Sequence, residues 1–195
     1  MAKLWKKKYE LDKNVEDFTV GDDYIQDMNL VKADIYGNIA HSTMLNKIGI
    51  LSDEELIKIK RSLIDILQLH EKGRFIIKKE DEDVHTAVEN LVTATLGDTG
   101  KKIHTARSRN DQILLDIRLY SKERLLNVME SVLGLCSILL QFSKENEFIP
   151  MPGRTHTQRA MPSSVALWAS SILESLLDDL YLLKCAYTIN DQSPL

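Results

Sequence analysis

The sequence predicts an all-α protein made of long helices packed as a bundle. Three observations carry this. Glycine and proline are sparse, eight and four in 195 residues. No segment alternates apolar and polar residues over a strand's length, which argues against a sheet protein. From Ser108 to about Asn146 there is no proline and a single glycine, Gly134. Apolar residues make up 44% and charged residues 28%, the balance of a globular chain long enough to bury its own core.

The elements follow in order. "DDYIQDMNLVKADIYGNIAHSTMLNKIG" opens on Asp22 and Asp23 and closes at Gly49, a glycine placed to end a helix. Ser52 with Glu55 three residues on reads as a capping box, and its helix runs to Gly73. "RFII" is a short extended link. A third helix starts within residues 81–83 and ends before Gly97.

The fourth helix starts at Ser108, a fit N-cap. Leu125, Val128, Val132, Leu135, Leu139 and Phe142 form one heptad stripe, and Leu126, Met129, Leu133, Cys136 and Leu140 a second beside it. A helix apolar on two adjacent stripes faces more than one neighbour. At 1.5 Å per residue it is roughly 55 Å long. After Pro150 and Pro152, a fifth helix starts near Ser163 and runs to about Tyr187 with an apolar face of Ile172, Leu176, Leu180 and Leu183. Two such helices cannot cover each other's apolar surface, so the expectation is an oligomer and a fragment of a larger bundle.

The net charge of −4 recommends neither nucleic acid nor anionic membrane as partner. "MAKLWKKKYELDK" lacks an apolar core and is not a secretory signal, and no uninterrupted apolar run is long enough to span a bilayer. Cys136 and Cys185 fall in helical patterns and read as reduced, buried core thiols of a cytoplasmic protein. His41, His70, His85, His104 and His156 form no metal-ligand pair spacing and there is no CxxC, so no metal is expected.

Polar chemistry collects in three places, each at a helix start or the loop before one. These are "EDEDVHTAVEN" with Asp81, Asp83, His85 and Thr86; "KKIHTARSRND"; and "MPGRTHTQRAMP" with Arg154, His156 and Arg159. Between Lys101 and Asn110, and between Met151 and Met161, there is no acid. Helix N-termini present free N–H groups and a positive dipole end, and arginine recognises carboxylates in two-point fashion. "SRND" is therefore arranged as an anion receptor. Plainer readings stay open: Ser108 and Asp111 as an ordinary cap, Arg107 paired with a distant carboxylate, "DEDVH" as a solvated cap with His85 exposed, and "PGRTH" as a turn.

"DEDVHTAVE", "HTARSRNDQ" and "MPGRTHTQRAMP", in this order and joined by long helices, resemble the argininosuccinate lyases of the aspartase/fumarase superfamily over essentially the whole chain. The resemblance implies a truncated long-helix bundle, with a small helical N-terminal domain over residues 1–106 and the first part of the central bundle over residues 107–195. It also implies a cytoplasmic homotetramer that needs no cofactor and whose active sites draw on three subunits. The reaction implied is reversible elimination of fumarate from argininosuccinate to give arginine. His156 is implied as the catalytic acid/base. Arg109 and Asn110 are implied to hold the succinate carboxylates beside Ser108, with Thr155 in substrate binding. Asp83 and His85 match another active-site loop. Asp27, and more weakly Asp23, match the substrate's amino-acid end. Alternatives are another fumarate-releasing lyase or a non-catalytic helical assembly protein on the same scaffold.

The departures are specific. Ala106 stands where the family's HTGRSRND block has glycine, "KKKY" (Lys6–Tyr9) replaces a "GGRF" stretch, Asp23 replaces a serine, and Arg154 and Thr157 replace a tyrosine and a leucine. A Gly-Ser-Ser-x-Met-Pro loop bearing the expected base does not occur, nor does the glutamate that orients the catalytic histidine. The chain alone is expected to be inactive.

Overall fold

The computed structural model describes residues 12–194, so "KKKY" (Lys6–Tyr9) and nearly all of the N-terminal stretch read as no secretory signal lie outside the described residues. The chain forms two compact units, one up to Tyr120 together with residues 193 and 194, the other Ser121–Gln192.

The first unit contains α1 (Lys13–Val20), α2 (Asp23–Gln26), α3 (Val31–Lys47), α4 (Asp53–Glu71), α5 (Val84–Leu96), α6 (Asp98–Lys101) and the start of α7 (Arg109–Glu145). The single helix expected from Asp22 to Gly49 is broken by a 3-10 turn, Asp27–Asn29. Asn29 Nδ2 donates to the Gln26 carbonyl at 2.9 Å, the kind of local bond by which short polar side chains compete with a helix. The break turns Asp27 toward α5. Ser52 caps α4 as expected: Glu55 N–H donates to Ser52 Oγ (3.2 Å) and Ser52 N–H to Glu55 Oε2 (3.0 Å). Gly73, at φ +66, reverses the chain after α4. The link then runs extended, with Phe75 and Ile77 buried and Ile76 exposed. Their partners are Val31, Ile35 and Leu45 of α3, Ile59, Leu63 and Ile66 of α4, and Val84, Val88 and Val92 of α5. α6 crosses close to α5, because a Cβ on Gly100 would sit 2.7 Å from the Val92 carbonyl oxygen.

In the second unit α7 continues to Glu145, giving 37 residues in all, about 55 Å at 1.5 Å per residue. The Pro150/Pro152 break proves to be an antiparallel hairpin of β1 (Pro150–Thr155) and β2 (Gln158–Ser164), pairing Pro150 with Ser164 and Thr155 with Gln158. This small hairpin joins an otherwise helical chain, where the sequence offered only a break. The strands are mostly exposed, so no apolar alternation marks them. A bulge between Pro152 and Arg154 holds Gly153, where a Cβ would meet the Met161 carbonyl oxygen at 2.8 Å.

α8 runs Val165–Asn190, capped by Ser164, whose Oγ accepts the Leu167 N–H at 3.0 Å. Of the two thiols Cys136 is buried, but Cys185 is exposed, which corrects that expectation. By length and composition alone α7 could cross a membrane, because a charge-poor window need not be an uninterrupted apolar run. Asn127, Glu130, Ser131, Gly134, Ser137 and Gln141 nevertheless recur at helical spacing beside the apolar stripes, the pattern of a bundle helix with one polar face.

Candidate active site

The starts of α5 and α7 meet in the first unit. Asp83 is the N-cap of α5, its Oδ1 accepting from the Thr86 N–H (2.7 Å) and Thr86 Oγ1 (2.8 Å). The same carboxylate takes Arg109, whose NH1 donates to Oδ1 at 2.9 Å and Oδ2 at 3.0 Å. Arg109 NH2 is buried without a hydrogen-bond partner, and the nearest acid, Glu89 Oε2, stands 3.8 Å away. Arg109 thus makes its hydrogen bonds to Asp83 through NH1 alone, while NH2 stands in a longer ion pair with Glu89.

Ser108 and Asp111 close the N-terminus of α7, which is the plainer reading of that pair. Asn110 N–H donates to Ser108 Oγ at 3.2 Å, and Ser108 N–H to Asp111 Oδ2 at 3.0 Å. The Asn110 side chain is exposed. Asp27 Oδ2 accepts the Val84 N–H at 3.0 Å. Burial pushes the Asp27 carboxyl above its usual range, opposed by the Val84 bond and His85, and reinforced by Asp83 and Asp23. Asp23 itself is exposed in α2.

His85 is 5% exposed, which rules out the solvated-cap reading. Its Nδ1 lies 2.7 Å from Asp34 Oδ1 and 3.6 Å from Asp116 Oδ2, and its Nε2 is buried without a partner. Asp34 also accepts from Asn38 Nδ2 at 2.8 Å and Gln112 Nε2 at 3.5 Å, while Arg107 donates to Asn38 Oδ1 and the Ile103 carbonyl. Burial alone would lower the His85 pKa, but the Asp34 bond and the charges of Asp34, Asp116 and Asp83 raise it above the usual histidine range. Burial, then the neighbouring Asp34 charge, push Asp116 up to about 8. Burial lowers the Arg107 guanidinium, with Asp34 and Asp116 opposing.

Asp34 and Asp116 escaped the sequence reading, although each interrupts an apolar run, in "KADIYG" and "LLDIR". An acid inside a helix's apolar stripe was the available signal. The three side chains could also offer atoms to a cation. However, two ligands at about 2.0–2.1 Å on a tetrahedral ion stand about 3.3 Å apart. The 2.7 Å His85–Asp34 contact is a hydrogen bond that such an ion would have to break.

Ala106, just before this cluster, has φ +57, so alanine occupies the left-handed conformation that glycine adopts without strain. In the second unit Thr155 ends β1, and His156 and Thr157 form the hairpin turn with φ +47 and +66. This is the two-residue turn left open by "PGRTH". Positive φ at both central residues fits the twist of a tight hairpin but strains non-glycine residues. Thr157 Oγ1 donates to the His156 carbonyl at 2.6 Å, and the imidazole is exposed at the tip. The first unit thus gathers Asp23, Asp27, Asp83, His85, Ser108, Arg109 and Asn110, while Thr155 and His156 belong to the second.

Residues 7–195 match the family described as Lyase. The chain belongs to that lyase family. Among curated lyases it is 51% identical over 193 residues to the argininosuccinate lyase of Thermotoga neapolitana, covering 99% of this chain and 48% of that protein. With the argininosuccinate lyase of Bacteroides fragilis it shares 46% over 193 residues, covering 99% and 43%. The chain therefore spans just under half the length of these lyases.

Among solved structures it resembles the native fumarate lyase:delta crystallin of Brucella melitensis, with TM-score 0.77, 18% identity, and 93% of this chain and 45% of that one covered. It also resembles an EDDS lyase in complex with formate, with TM-score 0.72, 23% identity, and 90% and 33% covered. Those likenesses show the lyase fold. The all-α bundle and the family read from three short motifs are the ones found.

Proposed function

We propose that this chain is the N-terminal portion of an argininosuccinate lyase, acting in the cytoplasm as a homotetramer without a cofactor. The observation that carries the reading is Arg109. It stands at the first turn of a long helix with one guanidinium nitrogen outside any hydrogen bond, within a chain 51% identical to a curated argininosuccinate lyase. Residues 107–195 then open the central bundle, and residues 1–106 form the smaller domain.

In the reaction a proton leaves the carbon beside a succinate carboxylate, and the resulting charge spreads into that carboxylate. The C–N bond then breaks, the carbon–carbon double bond of fumarate forms, and the guanidino nitrogen leaves with the bond's electron pair and takes a proton. Arg109 and Asn110 supply donors placed before charge develops, the condition under which such stabilisation is largest. His156 protonates the leaving nitrogen, a task suited to imidazole. Thr155, next to His156, takes part in substrate binding, and Ser108 neighbours Arg109 and Asn110. Asp27, and more weakly Asp23, suit its cationic amino-acid end, and Asp83 and His85 belong to another active-site loop.

The test is the native full-length protein. It is expected to convert argininosuccinate to arginine and fumarate, to leave adenylosuccinate untouched, and to lose about 10²–10⁴-fold in kcat with His156→Ala. The 195-residue chain alone is expected to release no fumarate. Turnover of adenylosuccinate instead, or no turnover by the full-length protein, overturns the reading.

A further inference from the structure

Beneath the proposed carboxylate site lies a buried polar cluster for which the reaction has no use. Its members come from three helices: Asp34 and Asn38 on α3, His85 on α5, and Gln112 and Asp116 on α7, with Arg107 entering from the loop before α7. Asp34, His85, Gln112 and Asp116 are each no more than 5% exposed, so water does not settle their charges. Arg109, Gln112 and Asp116 lie at positions i, i+3 and i+7 of α7 and share one face. Along that face Arg109 meets Asp83, Gln112 meets Asp34, and Asp116 approaches His85. His85 in turn sits two residues after Asp83 on α5.

The charge count is unusual. Two carboxyl groups, one imidazole and one guanidinium share a space with little solvent. Asp34 accepts from Asn38, His85 and Gln112, whereas Asp116 Oδ2 accepts from no group. Two adjacent buried carboxyl groups cannot both ionise cheaply. The donors gather on Asp34, and the proton belongs on Asp116, whose carboxylate oxygen lies within 4.8 Å of Asp34's.

We infer that Asp34 and Asp116 are positioning residues. They share one proton, keep His85 as an imidazolium, and through it hold the α5 N-terminus, and so Asp83, against Arg109 on α7. Loss of the shared proton at alkaline pH sets two like charges against each other and slackens the Asp83–Arg109 register. The groups facing the cluster are His41 on α3, Asp27 before it, Asp83 and Glu89 on α5, and Asp111 with Arg109 on α7. In its consequence for catalysis this inference rests on the carboxylate-site reading; in its ionisation it does not.

The experiment is a histidine NMR titration of the 195-residue chain, with His85 assigned by replacing the other histidines one at a time. His85 is expected to stay protonated through neutral pH, and Asp116→Asn to lower its midpoint by about half a unit or more, because a charge that develops beside it has been removed. A wild-type midpoint at or below the ordinary value of about 6.5 overturns the inference, even if the variant fails to fold. So does an Asp116→Asn chain whose His85 midpoint is unmoved. In the native full-length protein the same variant is expected to flatten the alkaline rise of KM for argininosuccinate, a readout that general loss of stability does not change. Absence of all turnover in the full-length wild type sinks the proposed function, and the titration then still decides the proton sharing.

Discussion

The two compact units use similar helices to opposite ends. The first wraps its apolar faces into a core of its own, with Val31, Ile35, Leu45, Ile59, Leu63, Val84, Val88 and Val92 essentially out of contact with solvent. In the second, only Cys136 and Ala169 are buried among the described apolar residues. Leu126, Leu133, Leu135, Ile138, Leu140, Leu167, Trp168 and Leu182 stand open. The local signals are equally good in both, since Ser52 caps α4 and Ser164 caps α8. What differs is whether each apolar stripe is covered among the described residues. A well-formed helix and a stable helix are separate achievements, and most of the second comes from burial.

This contrast can be broken most directly by matched truncations. Leu63→Ala in the first unit is expected to cost about 2–5 kcal/mol in urea unfolding, the range for emptying a packed site. Leu133→Ala in the second should stay within about 0.5 kcal/mol, as for surface changes. Equal losses would show that the second unit holds a core after all.

A pH series sharpens the comparison next. His85 is raised in the folded state, so its stabilisation is complete below about 6.5 and is lost as pH climbs through the raised value. Asp116, raised from 3.8 to about 8, has the same sign, its contribution fading between those limits. Melting of the first unit is therefore expected to soften steadily from pH 6.5 to beyond 8, with Asp116→Asn reducing the slope. A melting temperature flat over that interval would refute this. Ser52→Ala should cost about 1 kcal/mol by losing the cap, read from the same urea curves. Smallest of all, Ala106→Gly should gain up to about 1 kcal/mol by relieving a left-handed alanine, and a loss would mean the turn is held by contacts with the methyl group.

The sequence made some of this legible because the chemistry was local. A serine three residues before a glutamate, a glycine past a helix end and an apolar repeat without prolines all act within a few residues. The hairpin around His156 was not legible. Its turn is His156–Thr157 in place of a glycine-bearing pair, and its exposed strands carry no alternation. The break at Asp27 was hidden too, because the donor that rewards it, the Val84 N–H, is supplied by a helix far along the chain. Asp34, His85 and Asp116 come from three helices and share no spacing. Of the candidate residues, sequence named Asp83 and Arg109 one by one, and only folding joined them.

That joining has a consequence for any ligand. Asp83 fills half of the Arg109 fork with a carboxylate tethered to the same fold, so an arriving carboxylate meets a built-in competitor that never diffuses away. Should Arg109 hold a substrate carboxylate as proposed, weak or stray anions would be filtered out, and only a substrate engaging several donors at once would displace the resident group.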